Sequence, residues 1–84
     1  MQPIHELLNR IRWDKDFAQG EFEIEFIDHK QNSLQRLTMR SIGFMQGDHF
    51  FFYYLDEEGE EHAVPLHRIR SVYKDGERIW HRPE

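Results

Sequence analysis

Cysteine is absent from the 84-residue chain. That excludes disulfide frameworks, cysteine-based zinc sites and thiol catalysis. No apolar run reaches the ~18 residues a membrane-spanning helix needs, and mean hydropathy is -0.85. Lys and Arg are missing from residues 51–62, which carry five acids. A phosphate-cradling loop is missing too, because Gly43-Phe44-Met45-Gln46-Gly47 lacks the length and the Lys-Ser/Thr ending. The opening MQPIHELLNR has neither the basic flank nor the apolar stretch of a signal peptide. These absences lead us to expect a cytoplasmic protein with no membrane association.

What is present is aromatic. Seven Phe, three Tyr and two Trp suffice to fill the core of a small domain, which argues against disorder. A chain this short buries roughly 60–65% of its unfolded surface, so a single domain over residues 1–84 is expected. The formal net charge is -5, from 11 Lys and Arg against 16 Asp and Glu. Its distribution is uneven. Residues 51–62 account for -5, whereas residues 63–84 carry +2. A broad basic footprint for long duplexes is lacking, but a small basic patch near the C-terminus suits one phosphate or a nucleic-acid end. A solvated charged face explains the same residues equally well.

Pro3 suits a first helical turn. Ile4, Leu7, Leu8 and Ile11 follow at i, i+3, i+4 and i+7, which predicts a helix over about residues 3–12 with one apolar stripe. Residues 14–20 read as a loop with Trp13 and Phe17 tucked against the body. Phe22, Ile24 and Phe26 then alternate with Glu21, Glu23 and Glu25, the pattern of a half-solvated antiparallel strand. Leu37 and Met39 begin a further strand, with a bulge at 41–43. Gln46-Gly47-Asp48 reads as a hairpin turn. His49 to Leu55 is almost continuously apolar, so both faces of that strand want cover. Asp56 to Glu60 reads as an exposed loop without the alternating ligands of a calcium site. Pro65 to Arg68 reads as a turn or one 3₁₀ turn, since Pro65 has no N–H to donate. Asp75-Gly76 is a strong type I′ hairpin signal. A two-residue loop there pairs Arg70 with His81, Val72 with Ile79 and Ser71 with Trp80. The sum is an α+β fold: an N-terminal helix packed on a strongly curved antiparallel sheet of about five strands.

Chemistry-bearing groups are few. His5-Glu6-Leu7-Leu8-Asn9 misses the zinc-protease pattern, because Asn9 stands where the second histidine ligand belongs. The remaining histidines have no metal-ligand spacing, so no metal and no cofactor are expected. No nucleophile and base pair stands out either, and the chain reads more readily as a binding module than as an enzyme. The densest cluster is His67, Arg68 and Arg70, joined through the hairpin to Trp80, His81 and Arg82. Guanidinium forks suit phosphate oxygens. An imidazole donates to phosphate, and Trp80 or Tyr73 offers a stacking face for a base. The competing view pairs Arg68 and Arg70 with Glu23, Glu25 or the acidic loop, with Trp80 closing the core.

Three blocks carry a family resemblance: Ile4 to Asp14, Val64 to Arg70, and Asp75 to Arg82. On them the chain resembles the RNA cyclic group end recognition domain family. The resemblance implies a stand-alone version of a domain elsewhere fused to RNA-processing enzymes. It also implies recognition of RNA ends bearing a 2′,3′-cyclic phosphate. His67, Arg68 and Arg70 match the motif. Trp13 and Asp14 match the other block, and Trp80 and Arg82 give support. The function expected is a non-catalytic module for RNA ends or a small phosphorylated ligand. Its site is a shallow pocket of His67, Arg68, Arg70, Trp80, His81 and Arg82, supported by Trp13, Asp14, Tyr73 and Arg78. The alternative is a protein-interaction module, with a partner chain or a second copy meeting the aromatic strand 49–55.

Overall fold

The structure is a computed structural model that describes residues 2–29, 31–45, 47 and 50–83. Among these residues one helix, α1 (Ile4–Trp13), precedes seven strands: β1 (Phe22–Asp28), β2 (Ser33–Thr38), β3 (Ile42–Gly43), β4 (Phe51–Leu55), β5 (Glu61–Pro65), β6 (Ile69–Lys74) and β7 (Glu77–His81). The strands form two separate sheets, not one curved sheet of about five strands. A four-stranded sheet has the order β2-β1-β6-β7, and a three-stranded sheet has the order β3-β4-β5.

Two 3₁₀ turns account for the division. Met39–Ser41 carries the chain from β2 to β3, and Leu66–Arg68 carries it back from β5 to β6. The parity change between Leu37 and Ile42, which a bulge would also produce, is the point where the chain leaves one sheet for the other. Pro65 ends β5 on an outer strand of the smaller sheet. There its missing N–H does no harm, and its fixed φ of -60° belongs equally to extended and turn backbone. The expected turn at Gln46-Gly47-Asp48, and His49 beyond it, involve positions outside the described residues.

The core lies between α1 and the two sheets. Ile4, Leu7 and Leu8 supply the helix stripe, and Phe22, Ile24 and Phe26 supply β1. Phe52, Val64, Leu66, Ile69, Val72 and Trp80 complete it. Phe26 and Phe52 meet edge-to-face at 5.3 Å between ring centroids and so join the sheets. Such a pair adds about 0.5–1.5 kcal/mol beyond the area it buries. Phe17 packs on Phe22 at 5.8 Å as the loop reading expects, but Trp13 stands 76% exposed instead of tucked in. Among the described residues no helix is long and apolar enough to cross a membrane.

The C-terminal hairpin departs from its simple register in one respect. Asp75 and Gly76 both take positive φ, 51° and 84°, as a type I′ turn requires. Lys74 pairs with Glu77 and Tyr73 with Arg78, but Val72 then pairs with Trp80 and Ser71 with His81. Ile79 is the extra residue of a β-bulge. The slip turns the larger indole into the core, where Trp80 donates from Nε1 to the Gln2 carbonyl at 2.7 Å. Ile79 is left 38% exposed. A second bulge lies on β6, where Glu25 pairs with Ser71 but Phe26 pairs with Ile69, leaving Arg70 unpaired against β1.

Candidate functional site

The two bulges together define the strongest cluster. Bulges re-aim side chains, and here they bring Arg70 and Arg82 to the same place. The Arg82 N–H donates to the Arg70 carbonyl at 2.9 Å, so Arg82, not His81, faces Arg70 across the hairpin. Both guanidinium groups then close on the end of the Leu66–Arg68 turn. Arg70 donates from Nη1 to the His67 carbonyl at 3.0 Å. Arg82 donates from Nε to the Ile69 carbonyl at 3.0 Å and from Nη2 to the Leu66 carbonyl at 3.2 Å. Its guanidinium also lies 5.3 Å from the centre of the Trp80 ring.

These bonds anchor the arginines without neutralising them. The carbonyl end of a full helix carries only about half a negative charge, and one 3₁₀ turn supplies no more. Neither guanidinium pairs with a carboxylate among the described residues. Most of the five N–H donors on each arginine lie outside the bonds just described. The Arg82 pKa is lowered, first by burial and then by the charge of Arg70. The result is two partly buried like charges held at one turn, an arrangement suited to an anion with several oxygens.

The other expected residues separate. Arg68 and Arg70 share a face only on a regular strand, and Arg68 sits in the 3₁₀ turn instead. Its side chain lines a cleft of about 680 Å³ between the sheets, with Phe26, Asp28, Tyr54, Asp56 and His62. Its Nε is buried with no hydrogen-bond partner. Glu23, the expected partner of Arg68 or Arg70, meets Arg36 at 3.8 Å. His67 is exposed and borders a different hollow, of about 490 Å³, with Ile4, His5, Phe50, Phe51 and Pro65. Trp80 is buried and presents no stacking face. Tyr73 lies beneath the Arg36 guanidinium at 3.6 Å. His81 and Arg78 are exposed on β7. Asp14 belongs to the helix end: its carboxylate accepts from the Asp16 and Phe17 N–H groups and pairs with Arg10 at 3.6 Å. The Phe17 bond is the main cause that holds its pKa below the ordinary value.

A further constellation lies in the cleft. Asp56 and His62 hydrogen-bond at 2.7 Å, and Tyr54 stacks on His62 at 5.0 Å between ring centroids. That bond, then the Glu60 N–H, lowers the Asp56 pKa, while burial and then Asp28 raise that of Tyr54. Donor atoms of Asp56, Glu60 and His62 lie within 4.8 Å of one another, although the sequence shows no metal-ligand pattern there. The cleft lining sets Asp28, Asp56, Glu57 and Glu58 against Arg68 and two histidines, a predominantly acidic surround that disfavours an anion.

Against known families, residues 1–82 match the model described as the MJ1316 RNA cyclic group end recognition domain. No curated protein and no solved structure matches the chain.

Proposed function

The chain belongs to the RNA cyclic group end recognition domain family, and from that premise we propose that it is a non-catalytic module that binds RNA ends, with the Arg70–Arg82 pair holding a terminal 2′,3′-cyclic phosphate. The observation that carries this reading is the pair itself. Two guanidinium groups, both partly buried, are held at one turn by a bulged hairpin, and neither pairs with a carboxylate among the described residues. The family description and the cation pair converge on one ligand chemistry. Two forks match the oxygens of one phosphate, which reconciles local anion binding with a net charge of -5. His67, exposed beside a separate hollow, and His81, exposed on β7, stand outside this contact. Arg68 belongs to the cleft and has no part in the phosphate contact. A chain with no cysteine suits the reducing cytoplasm, where we place this activity.

The test is a binding panel of RNAs alike except for cyclic phosphate, 3′-phosphate or hydroxyl ends, at several salt concentrations. The cyclic end binds most tightly, and Arg70→Ala weakens it by about tenfold or more, since charge-assisted hydrogen bonds contribute ~1.5–3 kcal/mol. The hydroxyl-ended RNA scarcely changes. Equal losses for both ends would assign Arg70 to fold or general charge.

A second reading has its own support. Phe50 is 74% exposed and Leu55 65%, which fits contact with a partner chain or a second copy through residues 49–55. β4 is the middle strand of its sheet, so such contact uses side chains rather than an open backbone edge. Sedimentation at high concentration distinguishes the homodimer from the monomer.

A further inference from the structure

We propose that the apolar hollow beside His67 receives the base of the terminal nucleotide whose phosphate Arg70 and Arg82 hold; this inference rests on the phosphate reading above. The hollow is bounded by Ile4 and His5 from the first turn of α1, Phe50 and Phe51 at the start of β4, and Pro65 and His67. Its volume of about 490 Å³ falls within the ~300–1,000 Å³ span of small-ligand sites. The walls are fixed by backbone bonds. The Leu66 N–H donates to the Phe50 carbonyl at 2.8 Å, and Phe51 pairs with Pro65 across the sheet. Such a slot takes a flat ring without first being ordered, which favours binding.

Continuity with the cation pair identifies the occupant. Leu66 and His67 line the hollow, while their carbonyl oxygens hold Arg82 and Arg70. The hollow and the pair therefore flank one three-residue turn, roughly 6 Å long at ~2.0 Å rise per residue. A ligand spanning both must be flat and apolar at one end and anionic at the other. A nucleotide at an RNA terminus has that form, and single-stranded RNA ends are commonly held by stacking a splayed base on Phe or His rings. Two imidazoles, His5 and His67, add hydrogen-bonding edges. The slot offers ring faces more than a donor and acceptor pattern, so it tolerates any base and favours purines for their larger face.

The test uses RNA oligomers ending in a 2′,3′-cyclic phosphate, with the last nucleotide either adenine-bearing or abasic, and the same pair with hydroxyl ends. Wild-type protein binds the adenine-bearing cyclic end about tenfold more tightly than the abasic one. Phe51→Ala, and separately Phe50→Ala, remove most of that difference and leave the abasic affinity unchanged. Arg70→Ala weakens both cyclic ends alike. Equal wild-type affinity for adenine-bearing and abasic ends overturns the slot, as does a loss in the phenylalanine variants that falls equally on both. Phenylalanine variants that break up a dimer in sedimentation while base discrimination persists also overturn it, in favour of a protein interface. Base discrimination without preference for the cyclic phosphate supports the slot and overturns the phosphate reading. Phosphate preference without base discrimination does the reverse.

Discussion

At the acidic loop the most perturbed carboxylate is satisfied within the loop itself. Asp56 accepts from the Glu58 and Glu60 N–H groups, each at 2.9 Å, and from His62 at 2.7 Å. At the β6–β7 end the arrangement is the opposite. Arg70 and Arg82 are held by carbonyl oxygens, with the Trp80 ring beside Arg82, and pair with no carboxylate among the described residues. Residues 51–62 hold more formal charge, -5 against +2 for residues 63–84, yet the proposed anion contact lies with the smaller charge. On that proposal, where the fold places individual charges matters more than the net charge.

The largest test of this comparison is to separate the two sheets. The acidic cleft lies between them, and the cation pair sits at the turn where the chain passes from one to the other. Phe52 is fully buried and meets Phe26 edge-to-face. Phe52→Ala is expected to cost about 3–5 kcal/mol, a large share of the ~5–15 kcal/mol available to a small domain. Chemical denaturation followed by tryptophan fluorescence measures it. A cost below about 1 kcal/mol would mean the sheets are held together elsewhere.

Next in size is a charge change in each region. Arg70→Glu sets a carboxylate against Arg82 and closes the anion site from within. Binding of the cyclic-phosphate end should fall more than tenfold, with little loss for the hydroxyl end. Glu57 and Glu58 are exposed and more than a contact away, so their effect is screened over a Debye length of ~8 Å. The double change Glu57→Gln with Glu58→Gln should raise binding of every RNA alike, by less than about threefold. If the acidic-loop changes instead alter the preference between ends, the two regions act together and the contrast between them fails.

Much of this architecture was legible from residue patterns. Ile4, Leu7 and Leu8 form the buried helix stripe as their spacing predicts, and Phe22, Ile24 and Phe26 alternate as read. Asp75-Gly76 takes the positive φ values its composition demands. These features depend on neighbours within a few residues. The division into two sheets does not, because a parity change at Ile42 marks a bulge or a change of sheet equally well, and only long-range pairing decides. The two bulges are set the same way. Nothing local requires Ile79 to slip. Burying the Trp80 indole in its place removes a larger apolar surface from water, and that preference becomes effective only once β6 and α1 are there to receive it. The expected convergence of three site residues fails for the same reason. Arg68, Arg70 and His67 are close in sequence, but the 3₁₀ turn sends them to three different surroundings.

A smaller effect tests whether Trp80 belongs to the core or to the ligand. The indole N–H bonds to the Gln2 carbonyl and the ring is 6% exposed. Trp80→Phe keeps most of the packing and loses one hydrogen bond, so thermal or denaturant unfolding should register about 0.5–1.5 kcal/mol. Affinity for adenine-bearing ends should be unchanged. A selective loss of that affinity with stability intact would make Trp80 a stacking residue and would shift the base away from Phe50 and Phe51.

The smallest effect lies at the acidic loop and appears only as pH falls. His62, followed by the Glu60 N–H, holds the Asp56 carboxyl below its ordinary value of 3.8. A carboxyl whose pKa is lowered on folding contributes stability above its unfolded value. That contribution is lost as pH falls through the folded value. Asp56→Asn can still accept from Glu58 and Glu60, so it removes only the part that depends on the negative charge. Wild type should therefore exceed the variant slightly in stability at neutral pH. The difference should shrink below about pH 4 and vanish once the wild-type carboxyl is protonated. Unfolding curves from pH 7 to pH 2 measure this, and comparing the two proteins cancels other acids such as Asp14, whose lowered pKa is common to both. A difference that stays constant across that range would mean the Asp56 contacts do not depend on its charge. RNA-end affinity at neutral pH should be the same in both proteins, because the His62–Asp56 pair faces the cleft while the proposed phosphate contact lies with Arg70 and Arg82.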